Sequence, residues 1–318
     1  MTAKATDEKG KKPANLEYTL HRVGHCYSKE YRVYFERTRD HVPISPYHDI
    51  PLYHDQEKGI LNMVVEVPRW SNANERLNPI GQDTLNGKPR FTKNCFPYKG
   101  YMWNYGAFPQ TWEDPHQVHR DIYKPGDNDP LDACEIGRAV AQVGDVKHVK
   151  VLGVLGLIDN GKADWKVLVI DIHDPLADQV NDLDDVSKHF PGLLDASRDW
   201  FRIYGLPDGE GQGEFAFGGV WRGPRYADKV IKWCWQSWRK LIRGHAERGN
   251  ISIENTTLRG SPGYLDPRNV ELPPDEDKSP ANIEDDLDEW FYIDRHDLEK
   301  TFALMEGSCI YITLLLDA

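Results

Sequence analysis

The chain has 318 residues, 39% of them hydrophobic, and carries a formal charge of −12. That length allows one large domain or two ordinary ones; the apolar and aromatic content excludes a disordered chain, and the excess acid argues against nucleic acid as a general partner. Five cysteines (26, 95, 134, 234 and 309) are scattered, odd in number and without a C-x-x-C pair, so zinc and disulfide frameworks are poorly supported and reduced intracellular thiols are the simplest case. Residues 1–15 read as a polar tail. They contain no apolar core for a secretory signal, and Asp7 and Glu8 argue against a transit peptide. Aromatic and β-branched residues recurring over 16–35 predict the first strands. Residues 62–70 alternate around Met63, Val65 and Val67, with Glu66 on the opposite face beside Asn62 and Val64; Pro68 ends that strand. Residues 71–88 read as a polar loop rich in Asn, Gly and Pro.

The following stretch, 89–105, interleaves Arg90, Lys93 and Lys99 with Tyr98, Tyr101 and Tyr105. Guanidinium, ammonium and phenol groups all donate hydrogen bonds, which suits an oxyanion ligand. The same pattern suits single-stranded nucleic acid or an aromatic core with snorkelling cationic stems. Next comes the densest run of acid, Asp127-Asn128-Asp129-Pro130-Leu131-Asp132, entered through Gly126. Three carboxylates in one turn repel one another unless a proton or cation compensates. All-oxygen clusters suit hard cations such as magnesium, manganese or calcium. A calcium EF-hand fails, because its obligatory glycine position is Asp132 and its obligatory glutamate position is Arg138. The plainer alternative is a solvated acidic turn.

Two strong strands are predicted over 146–158 and 165–172, joined through Asn160-Gly161, a hairpin signal. Antiparallel pairing brings Asp159 and Asp164 to one end, with Lys166 on the same face as Asp164. Leu183, Val186 and Phe190 precede a Pro191-Gly192 break. Leu193, Ala196, Trp200 and Tyr204 then mark a helical face. Ala227, Val230, Ile231, Cys234, Trp238, Leu241 and Ile242 mark another. Beyond Gly244 the chain is irregular, then Pro- and acid-rich over 272–289, and reads as a wrapping segment or linker. No stretch reaches the ~20 apolar residues of a membrane span; the run 310–316 reads as a docked tail or strand. Strands before helices suggest a β-barrel or sheet with helices packed outside.

GDNDPLDACEIG at 126–137 resembles the signature of soluble family I inorganic pyrophosphatases of the eukaryotic type. VVEVPRWSNA (64–73), RFTKNCFPYKGYMWNYGAFPQTWEDP (90–115), DWKVLVIDIHDP (164–175), FPGLL (190–194), WFRIYGLPDG (200–209) and EFAF (214–217) follow that family in order. The resemblance covers residues 16–245, and DEWFYI (288–293) is similar to the usual family end. It implies a mainly β fold, a five-stranded OB-like barrel with flanking helices, in a homodimeric cytoplasmic hydrolase. It divides the chain into a disordered tail (1–15), a pyrophosphatase domain (16–245) and a wrapping C-terminal segment with an extension (246–318). The implied activity is that of an inorganic diphosphatase of phosphate metabolism, hydrolysing pyrophosphate to two phosphates with magnesium or manganese; neither nucleic acid nor membrane is an expected partner. Carried over by motif, Asp127, Asp132 and Asp164 would ligate activating metals, with Asp132 bridging two. Asp159 and Asp164 would hold those arriving with substrate, with Glu66 nearby. Asp129 would accept the proton of the attacking water. Arg90, Tyr105, Lys166 and Tyr204 would contact phosphate oxygens, and Tyr101 would donate a proton.

Three positions depart from the family. Ala73 is followed by Asn74-Glu75-Arg76-Leu77-Asn78-Pro79 in a shorter loop that lacks the family's phosphate-binding lysine and metal-linked glutamate, leaving Glu75 and Arg76 as substitutes to be tested. Gly205 stands where the family has lysine, and Lys162 where it has an acid. The alternative to an enzyme is therefore a catalytically inactive homolog kept as a binding or assembly subunit.

Overall fold

The structure is a computed structural model describing residues 17–294 apart from 277 and 284. The expected docked run at 310–316 lies outside the described residues. The strands that position the site are β1 (Tyr18–Val23), β2 (Arg32–Arg37), β3 (Tyr53–Asp55), β4 (Ile60–Val67), β5 (Ile80–Gln82), β6 (Asn104–Ala107), β7 (Asp132–Glu135), β8 (Val146–Asp159) and β9 (Lys162–Asp171). β4 pairs with β6, β6 with β7, β7 in parallel with β9, β9 with β8, and β8 returns to β4. Five strands thus close into a ring, as the family resemblance implies. β1, β2 and β5 form a second sheet beside it.

Alternation along β7 and β9 sorts side chains between two faces. Ala133, Trp165, Val167 and Val169 pack in one apolar cluster with Ala227, Val230, Ile231 and Cys234. Cys134, Leu168 and Ile170 pack in another with Trp103, Trp200 and Phe201. Asp132, Asp164 and Lys166 fall on the second face by the same alternation.

Three helices flank the ring. α1 (Leu183–His189) is capped by Asp182, whose carboxylate accepts from the N–H groups of Asp184 and Asp185. α3 (Pro224–Leu241) begins on a proline and buries Ala227, Val230, Ile231, Cys234, Trp238 and Leu241 at helical spacing. Each of its larger apolar side chains contributes roughly 1.5–3 kcal/mol by burial. α2 (Leu193–Ile203) buries Ser197, Trp200, Phe201 and Ile203, a face rotated from the expected Leu193–Ala196 line. The reason is polar: Trp103 Nε1 donates to Ser197 Oγ at 3.0 Å, so a serine takes a core position.

The supposed loop at 71–88 is not structureless. Glu75–Arg76 pairs with β5, and β5 joins β2 with Ile80 fully buried. Strands of two or three residues are too short to leave a readable alternation.

After α3 the chain returns across the β1–β2 sheet. The N–H groups of Glu276 and Ala281 donate to the carbonyls of Arg22 and Cys26, and Trp290–Phe291 pairs in parallel with Asn94–Cys95. Among the described residues no helix is long and apolar enough to cross a membrane.

Candidate active site

The acidic turn is held by the backbone of Glu113. Glu113 N–H donates to the Asp129 carbonyl at 2.9 Å, and Asn128 N–H donates back to the Glu113 carbonyl at 2.9 Å. Gly126 is required here because a Cβ would lie 2.2 Å from the Glu113 carbonyl oxygen. Asn128 turns the chain at φ +84°, a conformation asparagine tolerates, while its side chain accepts from Trp112 Nε1. Asp129 N–H donates to Asp127 Oδ1 at 3.0 Å, fixing the two carboxylates relative to one another. Gly126 bridges to Ala163, which sets Asp164 beside Asp127.

Asp132 opens β7 and lies opposite Lys166 in the parallel register with β9. Lys166 Nζ donates to Asp132 Oδ2 at 2.5 Å, Asp164 Oδ1 at 2.6 Å and Tyr105 Oη at 3.0 Å. Burial alone would lower its pKa, yet the Asp132 and Asp164 carboxylates hold the ammonium well above its ordinary range. Burial pushes Asp132 up to about 7 despite that ammonium. Burial, then the charge of neighbouring acids, raises Glu66, Asp127 and Glu113 well above the carboxylate range.

One cavity of about 500 Å³ gathers Glu66, Arg90, Tyr101, Tyr105, Asp127, Asp129, Asp132, Asp159, Asp164, Lys166 and Tyr204, so every site residue expected from the sequence lines it. Of the other cations and phenols in the 89–105 stretch, none lines it: Lys93 and Lys99 pair with Asp286 and Asp288, and Tyr98 donates to Asp199. Lys162 is exposed and lies opposite Asp159 at the hairpin end.

Sequence reasoning missed Glu113, Asp83 and the role of Asn74. Glu113 is fully buried; its Oε1 accepts from Trp165 N–H, while Oε2 has no partner. Carboxylate oxygens of Glu113, Asp127 and Asp164 all lie within 4.8 Å of one another. Asp83 stands between two cations, 3.1 Å from Arg76 Nε and 3.5 Å from Arg90 Nη1. Arg76, exposed over 62% of its side chain, also reaches 3.9 Å from Asp129 Oδ1. Tyr101 donates its hydroxyl to Asn74 Oδ1 at 2.7 Å. Only the position of Glu113 in the WEDP run shared with the family could have pointed to it.

A family model described as inorganic pyrophosphatase matches residues 63–239. The chain belongs to the inorganic pyrophosphatase family. It is 51% identical over 284 residues to the inorganic pyrophosphatase of Emericella nidulans, covering 87% of this chain and 98% of that protein. It is 52% identical to that of Candida albicans, with 87% and 98% covered. The inorganic pyrophosphatase structure from Schistosoma japonicum superposes with a TM-score of 0.78 at 38% identity, covering 86% of this chain and all of that one. A truncated vacuolar soluble pyrophosphatase from Trypanosoma cruzi, described in complex with PPi, gives a TM-score of 0.65 at 37% identity over 76% of this chain and 99% of that one. Within this family frame the short loop has a defined shape. It carries Arg76 to the cavity wall and buries Glu75, which burial pushes up to about 8 and whose Oε2 lacks a partner.

Proposed function

We propose that this chain hydrolyses inorganic pyrophosphate to two phosphates with magnesium, manganese being an alternative ion. The observation that carries this reading is the convergence of at least six carboxylates and Lys166 on one cavity that Arg76, Arg90, Tyr105 and Tyr204 also line. The residues fit a hard divalent ion: every donor is an oxygen, a buried Glu113 oxygen is unpartnered, and burial with mutual repulsion raises Glu113 and Asp127 well above the carboxylate range. Asp127, Asp132 and Asp164 would hold the activating ions, with Glu113 behind them, and Asp159 and Glu66 at the edges. Bound magnesium supplies charge compensation for the phosphates and lowers the pKa of the attacking water.

The remaining work belongs to the chain. Asp129, exposed over half its side chain and steered by Asp127, accepts a proton from water as the oxygen attacks phosphorus. The bridging P–O bond breaks and the departing phosphate takes the negative charge. Lys166, Arg90, Tyr105 and Tyr204 orient the substrate and stabilise charge on its oxygens. Burial pushes the Tyr101 phenol up to about 12, and its hydroxyl, which donates to Asn74 Oδ1, would turn to donate to the departing phosphate. Arg76 supplies the cation that the missing loop lysine would have given. The inactive-subunit alternative finds no support: the relatives are inorganic pyrophosphatases, and Asp127, Asp129, Asp132, Asp159 and Asp164 all line the cleft.

The same reading places a homodimer in the cytoplasm. Supporting it, Phe96 packs 5.6 Å from both Trp290 and Tyr292, ring centroid to centroid, and all three are exposed, an aromatic patch suited to a second copy. Among the described residues Cys26, Cys95, Cys134 and Cys234 are free thiols. The test is phosphate release from pyrophosphate: hydrolysis that requires magnesium is expected, and no release with either ion would end the proposal.

A further inference from the structure

A separate group of side chains with metal-ligand atoms sits at the other end of the β8–β9 hairpin. Glu17, His54 and His148 offer ligand atoms that all lie within 4.8 Å of one another. The His54 and His148 rings stack with centroids 3.5 Å apart, and His173 flanks them, 6.3 Å from His148. Topology brings them together. β3 and β8 lie on the two edges of β4, and His54 is the residue that a register shift between Tyr53 and Asp55 leaves unpaired. Glu17 immediately precedes β1, and its carbonyl accepts from Thr38 N–H. No side-chain hydrogen bond or salt bridge among the described residues uses Glu17, His54 or His148.

Two imidazoles stacked this closely cannot both be imidazolium cations without strong repulsion. A neutral imidazole leaves a nitrogen lone pair free, and two of these beside a carboxylate form a donor set for a borderline transition ion. Zinc–nitrogen bonds of about 2.0–2.1 Å place tetrahedral ligands about 3.4 Å apart. Glu17 and His54 are exposed and His148 is half-buried, so the two rings can turn out of their stack to bring their in-plane lone pairs onto one ion. The all-oxygen cleft is a different environment: no histidine lines it, and Asp159 lies about 35 Å further along β8, at ~3.3 Å per residue. Ligand type therefore separates the two sites, nitrogen donors at one end of the ring and carboxylates at the other.

We propose that Glu17, His54 and His148 form a second divalent-metal site, for a nitrogen-preferring transition ion such as zinc, which clips the start of β1 to the ring. The test uses the full chain with magnesium in excess to occupy the carboxylate cleft. One equivalent of Cu²⁺ should bind and show nitrogen coupling in its electron paramagnetic resonance spectrum. His54→Ala/His148→Ala should lose that signal while pyrophosphate hydrolysis stays at the parent level. Glu17→Gln should keep the nitrogen signature and weaken binding at least about tenfold. Zinc should raise the melting temperature of the parent and leave that of the double variant unchanged. A parent without nitrogen-coordinated copper, or a double variant that keeps the parent's signal and affinity, overturns the site. A zinc-induced melting shift equal in parent and double variant overturns the clip.

Discussion

Lys166→Met isolates the electrostatics of the cleft from turnover. Lys166 is 4% exposed, and its ammonium is bonded to Asp132, Asp164 and Tyr105. Methionine keeps the length and apolar stem but leaves the acids facing one another. Removing one partner of a buried charged cluster typically costs about 3–5 kcal/mol, which for a domain of this size lowers Tm by roughly 6–15 °C. The loss must depend on pH. Asp132 already titrates at about 7, through burial first and against the pull of Lys166; without that ammonium its pKa rises further. A carboxyl whose folded pKa is raised favours folding below its unfolded pKa and loses that contribution as pH rises through the folded value. The deficit of the metal-free variant should therefore be larger at pH 8 than at pH 5, by up to about 1.4 kcal/mol from Asp132 alone, since its parent value is about 7. Saturating magnesium should recover part of the loss, about 2.7 kcal/mol at a hundredfold excess over Kd. Urea melts at both pH values, with chelator and with magnesium, measure all of this. An equal deficit at pH 5 and pH 8, or one below about 1 kcal/mol at pH 8, would refute the reasoning.

Three further outcomes are expected. Magnesium or manganese should raise Tm, and should flatten the loss of stability between pH 5 and 8 that Asp132 at about 7 and Glu75 at about 8, both raised by burial, impose on the metal-free protein; thermal melts unmoved by either ion would count against the metal site. Arg76→Ala should lower kcat/KM for pyrophosphate by about 10- to 100-fold, below the full effect of a buried donor because the side chain is 62% exposed, with Arg76→Lys recovering part of it; unchanged steady-state kinetics would remove Arg76 from the substrate wall. Gly205→Lys should fold once the Glu210 side chain shifts, because φ is −85° and the new Cβ meets Glu210 alone, its carboxylate at 2.5 Å and its Cβ at 3.2 Å, and it should raise kcat/KM by restoring a cation near Tyr204; a folded variant with no gain would sink that idea. A lysine at Asn74 is a poorer repair, since it would remove the acceptor of the Tyr101 hydroxyl.

Much of this was legible in the chain because local rules agreed with the fold. Asn160-Gly161 turns the hairpin with φ +48° and +79°, the positive values such a turn requires, and alternation along the following strand put Asp164 and Lys166 on one face. The acid spacing over 127–132 marked the acidic cleft for the same reason: close carboxylates need a proton or a cation. What stayed hidden depends on long-range contacts. Glu113 enters the site only because Gly126 lets two segments touch. Asp83 becomes the partner of Arg76 and Arg90 only once β5 pairs with β2 and Glu75–Arg76. His54 and His148 meet across β4, and neither the spacing nor the identity of these residues signals that stacking.

The most direct test compares pyrophosphate hydrolysis by the parent and by Asp129→Asn at equal magnesium occupancy, with the magnesium-induced melting shift as the measure of occupancy. Asparagine keeps the shape of the turn and removes the proton acceptor. The account predicts magnesium-dependent turnover in the parent, and in the variant a rate lower by at least about 100-fold, the scale of a lost general base, with the melting shift retained. A parent that releases no phosphate, or a variant that hydrolyses pyrophosphate at the parent rate, would contradict it.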